Sequence, residues 1–388
     1  MTMLKPKQPH DQESSLAAPG GGAVLTLVTP DTVASASANT NENVTREKGI
    51  MKNKIIQIIE TAGFQWLIPA VRLVSGESPR EQLIDLFKFI GLPVIALGIF
   101  LLMWGGVAAQ IKTSLGTLPG PVQVLEQAQG LVAEHHAERT KEEEFYQRQE
   151  QRNAEKLAED PNAEVKTRPY TGKPTFIDQI VTSLVTVFTG FILAALIAVP
   201  LGIACGLNKM LYTAVSPLIQ IFKPISPLAW LPIVTIVVSA VYVSEDPLFE
   251  KSFVTSAITV MLCSLWPALI NTTMGVASMS SDLTNVARVL RLSWIEQVFK
   301  IAIPSAMPMI FTGLRISLGI GWMVLIAAEM LAQNPGLGKF VWDEFQNGSS
   351  NSLGRIMVAV VTIGIIGFVL DWMMVTLQKL VSHEKEVR

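Results

Sequence analysis

Residues 179–208 read QIVTSLVTVFTGFILAALIAVPLGIACGLN, with no Asp, Glu, Lys or Arg among them. A helix needs about 20 mainly apolar residues to cross the hydrocarbon of a bilayer, and this run is long enough to do so. Similar runs lie on both sides of it: Phe89–Ala109, Leu211–Ser244, Ser252–Ser281, Ile301–Ala328 with the single charge Arg315, and Ile356–Gln378 with the single charge Asp371. The fold class expected from them is all-α, a polytopic membrane helix bundle of about six transmembrane helices. The third run is the weakest, because Lys223 and the prolines Pro217, Pro224, Pro227 and Pro232 interrupt it. Those prolines predict a span broken into two pieces or partly re-entrant. Composition agrees: the 388 residues are 49% apolar and 16% charged, and the mean hydropathy is +0.40. A net charge of −2 supplies no basic field, so nucleic acid is not an expected partner.

Lys and Arg in short loops set the expected orientation. With the N-terminus inside, the short cytoplasmic connections hold Lys209, Arg288, Arg291 and Lys300, and Lys379, Lys385 and Arg388 follow the last span. The short loops on the other side hold only Lys251, Lys339 and Arg355. Both termini are therefore expected in the cytoplasm of a bacterial inner-membrane protein.

The chain divides accordingly. Residues 1–50, rich in Ser, Thr, Ala, Asn, Gly and Pro, cannot bury enough apolar surface to fold and are expected to be disordered. Residues 51–86 carry apolar residues at helical spacing, a cytoplasmic or interfacial amphipathic segment. The first span occupies 87–110, a charged helical insert on the periplasmic side 111–176, the main transmembrane core 177–381 with a distinctive loop at 280–304, and a cytoplasmic tail 382–388. Within the insert, residues 124–159 favour helix and end at Asp160-Pro161. It reads as a solvated face needing no core contact, or as a docking surface for an external partner. Cys205 and Cys263 lie in apolar runs and make neither a disulfide framework nor a metal site. His135-His136 falls in the charged stretch and reads as solvated.

The connection between the fourth and fifth runs carries the functional signal. It reads Asn285-Val286-Ala287-Arg288-Val289-Leu290-Arg291, then nine residues, then Ile301-Ala302-Ile303-Pro304. Val286, Val289, Leu290, Ile295 and Val298 are apolar among Arg288, Arg291, Glu296 and Lys300, which predicts a short amphipathic helix with a turn near Leu292-Ser293. Such a helix can seat in a groove of a cytosolic partner.

This segment resembles the cytoplasmic coupling loop of type I ABC importer permeases. That family's pattern is Glu-Ala-Ala, three residues, Gly, nine residues, then Ile, any residue, Leu-Pro. The spacing agrees throughout, with Asn285, Val286, Arg291 and Ile303 as departures. Lys223-Pro224-Ile225-Ser226-Pro227-Leu228-Ala229-Trp230-Leu231-Pro232, Trp266-Pro267, Asn271-Thr272, and Thr312-Gly313-Leu314-Arg315 through Ala328-Glu329-Met330 look like the taurine, sulfonate and nitrate branch. Asn285 to Leu290, and the insert's end Arg168-Pro169-Tyr170-Thr171-Gly172-Lys173-Pro174, look most like nitrate permeases. The resemblance covers roughly residues 85–380 apart from the insert near 134–170. It implies the type I importer permease fold, a pair of permeases expected as a homodimer, two cytosolic ATP-binding cassette subunits and a periplasmic substrate-binding protein. It implies importer transport of a small anion, nitrate first, with taurine, alkanesulfonate, bicarbonate or cyanate as alternatives. Asn285, Val286, Ala287, Arg288, Arg291, Ile301 and Pro304 are then the expected ATPase-coupling positions.

The chain lacks a Gly-rich Lys-Ser/Thr phosphate loop and any Ser-His-Asp or Cys-His arrangement. No catalysis and no bound cofactor are expected here, ATP and Mg being used by partner subunits. Arg315 and Asp371 are candidate pathway or bundle charges, since a charge deep in a span faces protein or water. Lys223 and Glu329 sit nearer span ends and are expected to snorkel. A secondary transporter would show an inverted internal repeat, which is not visible.

Overall fold

A computed structural model describes residues 65–381 together with Ile56 and Ile59, apart from 76–77, 114–115, 161–164, 166, 244–247 and 350. The expected disordered N-terminus, most of the amphipathic stretch before residue 65 and the tail 382–388 lie outside the described residues. What is described is helical throughout, save one short antiparallel pair, β1 (Lys112–Thr113) and β2 (Gly116–Thr117). Backbone polar groups find no water inside a bilayer, so a spanning chain satisfies them within its own helices.

The helices are α1 (Ile68–Val74), α2 (Pro79–Leu86), α3 (Leu92–Ala108), α4 (Pro121–Glu159), α5 (Phe176–Leu207), α6 (Lys209–Phe222) and α7 (Pro227–Val241). They continue with α8 (Lys251–Ala277), α9 (Ser281–Val289), α10 (Trp294–Gln297), α11 (Ile303–Ala332), α12 (Leu337–Asn347) and α13 (Ser352–Val381). A π-turn over Phe87–Gly91 joins α2 to α3, and another over Val298–Ala302 joins α10 to α11. A proline stands two residues beyond each, Pro93 and Pro304, where a widened turn accommodates a ring that cannot donate its nitrogen.

Among the described residues, five stretches are long and apolar enough to span: Pro79–Ala108, Phe176–Leu207, Lys251–Ala277, Trp294–Ala332 and Ser352–Val381. The sixth is the proline-interrupted run, divided into α6 and α7 with a bend of 101° between them. Ser226, the cap of α7, accepts from Leu228 N and fixes the restart after Pro224.

α8 is the central helix, with α5, α7 and α11 packed against it. Small residues set the closeness of α5 and α8: Gly190 faces the backbone of Ala257, and Gly202 faces Thr272. Among the inter-helix hydrogen bonds that bind α11 to its neighbours are Ser317 Oγ to Ser264 O (2.6 Å) and Trp322 Nε1 to Ile363 O (3.0 Å). α3, by contrast, has nearly all its side chains exposed and meets the body through Trp104.

The insert departs from the sequence reading in one respect. Val124 and Leu131 on the first half of α4 are buried in the same apolar cluster as Phe176, Leu337, Phe340 and Val358. The base of α4 is thus part of the core, and only its distal half is a solvated charged face. Ion pairs fasten the base: Arg139 Nη2 lies 3.0 Å from Asp178, and Arg355 bridges Glu134 and Glu344. His135 Nδ1 is 2.7 Å from Thr175 Oγ1, so it is a bonded residue of this joint. Residues 168–170 run back along the helix, where Tyr170 Oη donates to Glu138 at 2.7 Å. That bond, with Lys141 beside it, holds the Glu138 carboxyl below its usual range.

A Cβ at position 190 would lie 2.6 Å from Ala257 O. Gly190→Ala is therefore expected to cost about 1–3 kcal/mol by overpacking and to lower the thermal unfolding temperature in detergent. Gly98→Ala, with open space around it, should leave that temperature unchanged or slightly raised.

Candidate functional site

The segment between α8 and α11 is built as two capped helical pieces. Ser280 caps α9 by accepting from Leu283 N, and Ser293 caps α10 by accepting from Glu296 N while Glu296 Oε2 accepts from Ser293 N. This is a reciprocal capping box, and Lys300 adds a 2.9 Å bond to Glu296. The turn between the pieces closes with Leu292 N donating to Ala287 O at 3.0 Å.

Arg291 occupies that turn with φ of +49°. The left-handed region costs a residue with a Cβ roughly 1–2 kcal/mol, and helices commonly end in glycine there. The position where the importer pattern has Gly is thus one whose backbone favours Gly, and this chain fills it with Arg.

Side chains on the segment sort into two faces. Ala287 (6% exposed), Val298 and Ala302 are buried, the latter two in a cluster with Ile203, Val276, Ala306 and Ile310. Val289 is 81% exposed and Leu290 63%, and Val286, Trp294, Ile295 and Phe299 are exposed as well. An exposed apolar ridge of this kind marks an interaction surface. Among the sequence-predicted positions, Ala287 is buried, Val286 belongs to the ridge, and Asn285, Arg288 and Arg291 are exposed beside it. Ile301 is half-buried in the π-turn and Pro304 stands in the first turn of α11. Trp294 and Phe299 were not singled out in the sequence, although apolar side chains next to Lys300 were their signal.

The helix that leaves this segment is continuous. Trp294–Ala332 spans 39 residues, about 58 Å at 1.5 Å per residue. Midway along it Arg315 meets Asp371 of α13 in a two-pronged pair, Nε to Oδ1 at 2.5 Å and Nη2 to Oδ2 at 2.7 Å. Leu318, Gly319, Trp322 and Gly367 enclose a cavity of about 180 Å³ beside the pair. At the far end lies a residue placed differently from its sequence reading. Glu329 does not snorkel: it is 0% exposed, bonded by Ser183 of α5 and by the backbone of α12. Lys223, by contrast, is exposed at the end of α6.

The family of binding-protein-dependent transport system inner membrane components matches residues 198–383. Nitrate import permease protein NrtB of Synechocystis sp. is 34% identical over 289 residues, 74% of this chain and 88% of that protein. Bicarbonate transport system permease protein CmpB of Synechococcus elongatus is 38% identical over 202 residues, 52% of this chain and 68% of that protein. A chain of the MetNI methionine ABC transporter, solved in inward-facing conformations, is 16% identical with a TM-score of 0.45, over 53% of this chain and 95% of that one.

A multi-pass bundle with these relatives is a membrane transport subunit. More particularly, the chain belongs to the family of binding-protein-dependent transport system inner membrane components, as a permease subunit of an ABC importer and not an enzyme.

The left-handed turn gives a direct test. Arg291→Gly should stabilise the protein by about 1 kcal/mol, seen as a higher unfolding temperature in detergent. Arg291→Val should lower it.

Proposed function

We propose that this permease forms the membrane pathway of an ATP-driven importer of nitrate, and that the ridge on α9 and α10 seats in ATP-binding cassette subunits. The observation that carries the coupling role is the ridge itself: Val286, Val289, Leu290, Trp294 and Ile295 stand exposed on a segment whose opposite face is packed. Five apolar residues in water are unfavourable unless a partner covers them. ATP and Mg belong to those partners. Nitrate is supported by the 34% identity over 88% of a nitrate import permease.

The charge bias of the short loops supports a cytosolic ridge and cytoplasmic termini. The base of α4, α12 and the start of α13 gather at the other end of the helix Trp294–Ala332, and so face the periplasm. The distal charged half of α4 then offers a surface to the binding protein. A second copy of this chain completes the pathway, and the Arg315–Asp371 pair faces that copy or the pathway instead of lipid, where a charge is costly. Selection among anions resides chiefly in the binding protein, so Arg315→Gln should lower the flux of every anion alike.

A strain lacking this chain should lose growth on nitrate as sole nitrogen source while growing on ammonium. Intact nitrate use, with growth lost on low inorganic carbon or on taurine as sulfur source, would reassign the anion and leave the importer reading in place. Leu290→Asp sets a charge in the partner contact, and should abolish uptake and co-purification of the ATPase subunits with membrane insertion unchanged. Ala287→Asp buries its charge within the permease itself and should reduce the amount of folded protein instead. Normal uptake by the Leu290→Asp strain contradicts the coupling role.

A further inference from the structure

The mechanism so far leaves unused the most deeply buried ionisable side chain in the structure. Glu329 lies near the end of α11, fully enclosed. Ser183 Oγ of α5 stands 2.8 Å from both carboxylate oxygens and can give its one proton to either. Gly338 N, in the first turn of α12, donates to Oε2 at 3.0 Å. Ser183 Oγ in turn accepts from Leu337 N at 2.9 Å, and Asn334 donates to Thr186 Oγ1 at 3.2 Å. The partners of the carboxyl are neutral groups: a hydroxyl, a backbone N–H and the Asn334 side chain.

The backbone is shaped around it. Gln333 turns through φ of +57°, and a Cβ at Gly336 would overlap both Glu329 oxygens. α12 therefore starts on the carboxylate, with its N-terminal N–H groups and the positive end of its dipole directed there. Burying a carboxyl costs far more than burying an apolar side chain of its size. Packing alone would be met by Leu or Met.

What Glu329 joins is informative. α12 carries Phe340, whose ring is 4.8 Å from that of Phe176, and Glu344, which binds Arg355 and Ser352 of α13. Arg355 continues to Glu134 on α4. These contacts make α4, α12 and the start of α13 one platform at the end remote from the coupling ridge. α11 is the upper part of the unbroken helix that begins at Trp294 in the ridge. Glu329 is the polar bond between the platform and that helix.

We infer that Glu329 is a positioning residue that transmits binding-protein contact on the α4–α12 platform to the coupling segment, by fixing the start of α12 to the end of α11 and to α5. The inference rests on the proposed periplasmic docking face. It distinguishes Glu329 from a residue that only stabilises: cutting the link should separate the platform from the ridge without disabling either. Basal ATP hydrolysis by the assembled complex should persist while its acceleration by loaded binding protein is lost.

The test is ATP hydrolysis by the full complex in proteoliposomes, with and without nitrate-loaded binding protein. Glu329→Gln removes the strong acceptor and sets a second donor against Gly338 N and Ser183. Its hydrolysis should match the unmodified complex without binding protein, and should rise little above that rate when loaded binding protein is added. Gly336→Ala, which presses on the carboxylate while leaving Glu329 in place, should do the same and serves if the Gln variant assembles poorly. Ser183→Ala should give an intermediate response. Equal fold-stimulation in the unmodified complex and in any assembled variant overturns the inference, as does a parallel fall of basal and stimulated rates. If the unmodified complex responds only to another loaded anion, the nitrate reading fails and the same comparison made with that anion decides the role of Glu329. If no loaded binding protein stimulates it, the docking face and this inference fall together.

Discussion

The spanning helices answer one constraint: in hydrocarbon, no solvent completes a hydrogen bond. Prolines are the places where that constraint bites, and the chain puts them inside α5, α6, α7, α8 and α11 at Pro200, Pro217, Pro232, Pro267 and Pro308. Side-chain donors reach the carbonyls of two of these prolines. Asn271 Nδ2 bonds Pro267 O at 2.8 Å, and Thr312 Oγ1 bonds Pro308 O at 2.9 Å, with Gln378 Nε2 at 3.3 Å from the same oxygen. Hydroxyls elsewhere donate back to their own helix, as Thr186, Thr259 and Thr273 do. Many polar residues in these spans are thus bonded to backbone, while others make inter-helix bonds such as Ser317 to Ser264, the Arg315–Asp371 pair, and the Glu329 knot.

The same constraint explains the division of labour along α11. Its middle is held by close packing on α8 and by one neutralised ion pair, so it behaves as a stiff element. Its two ends are polar and specific: a capping box and left-handed turn at one, a carboxylate on a helix start at the other. Packed elements of this sort move as units and not by gradual deformation. A permease that is driven by one partner and loaded by another has need of such a unit.

Much of this was legible in the sequence, for a physical reason. Spans are written as long uncharged runs, and the proline-rich third run signalled a break that is realised as the 101° bend. The short helical pieces between the fourth and fifth runs, with their turn near Leu292-Ser293, were legible in the sequence, and the Ser293–Glu296 box is a local signal. What could not be read is which face of a short helix meets the body. Ala287 and Val286 are adjacent and both small or apolar, yet one is buried and the other exposed, a difference that the folded segment decides and spacing does not. Glu329 was misjudged for a related reason. Distance along the chain placed it near a span end, where long side chains reach water, whereas α12 folds back over it. The core contact of α4 was hidden likewise: Val124 and Leu131 are sparse among charges, and only the return of the chain at Phe176 brings them a partner.

The coupling ridge is tested most directly by labelling. With Cys205 and Cys263 replaced by Ser, Leu290→Cys supplies one reactive thiol on the ridge. A membrane-impermeant maleimide should modify it in inverted vesicles and not in intact cells, and co-expressed ATPase subunits should slow that modification. Labelling in intact cells, or an unchanged rate with the ATPase subunits present, would contradict a cytosolic ridge seated in an ATPase.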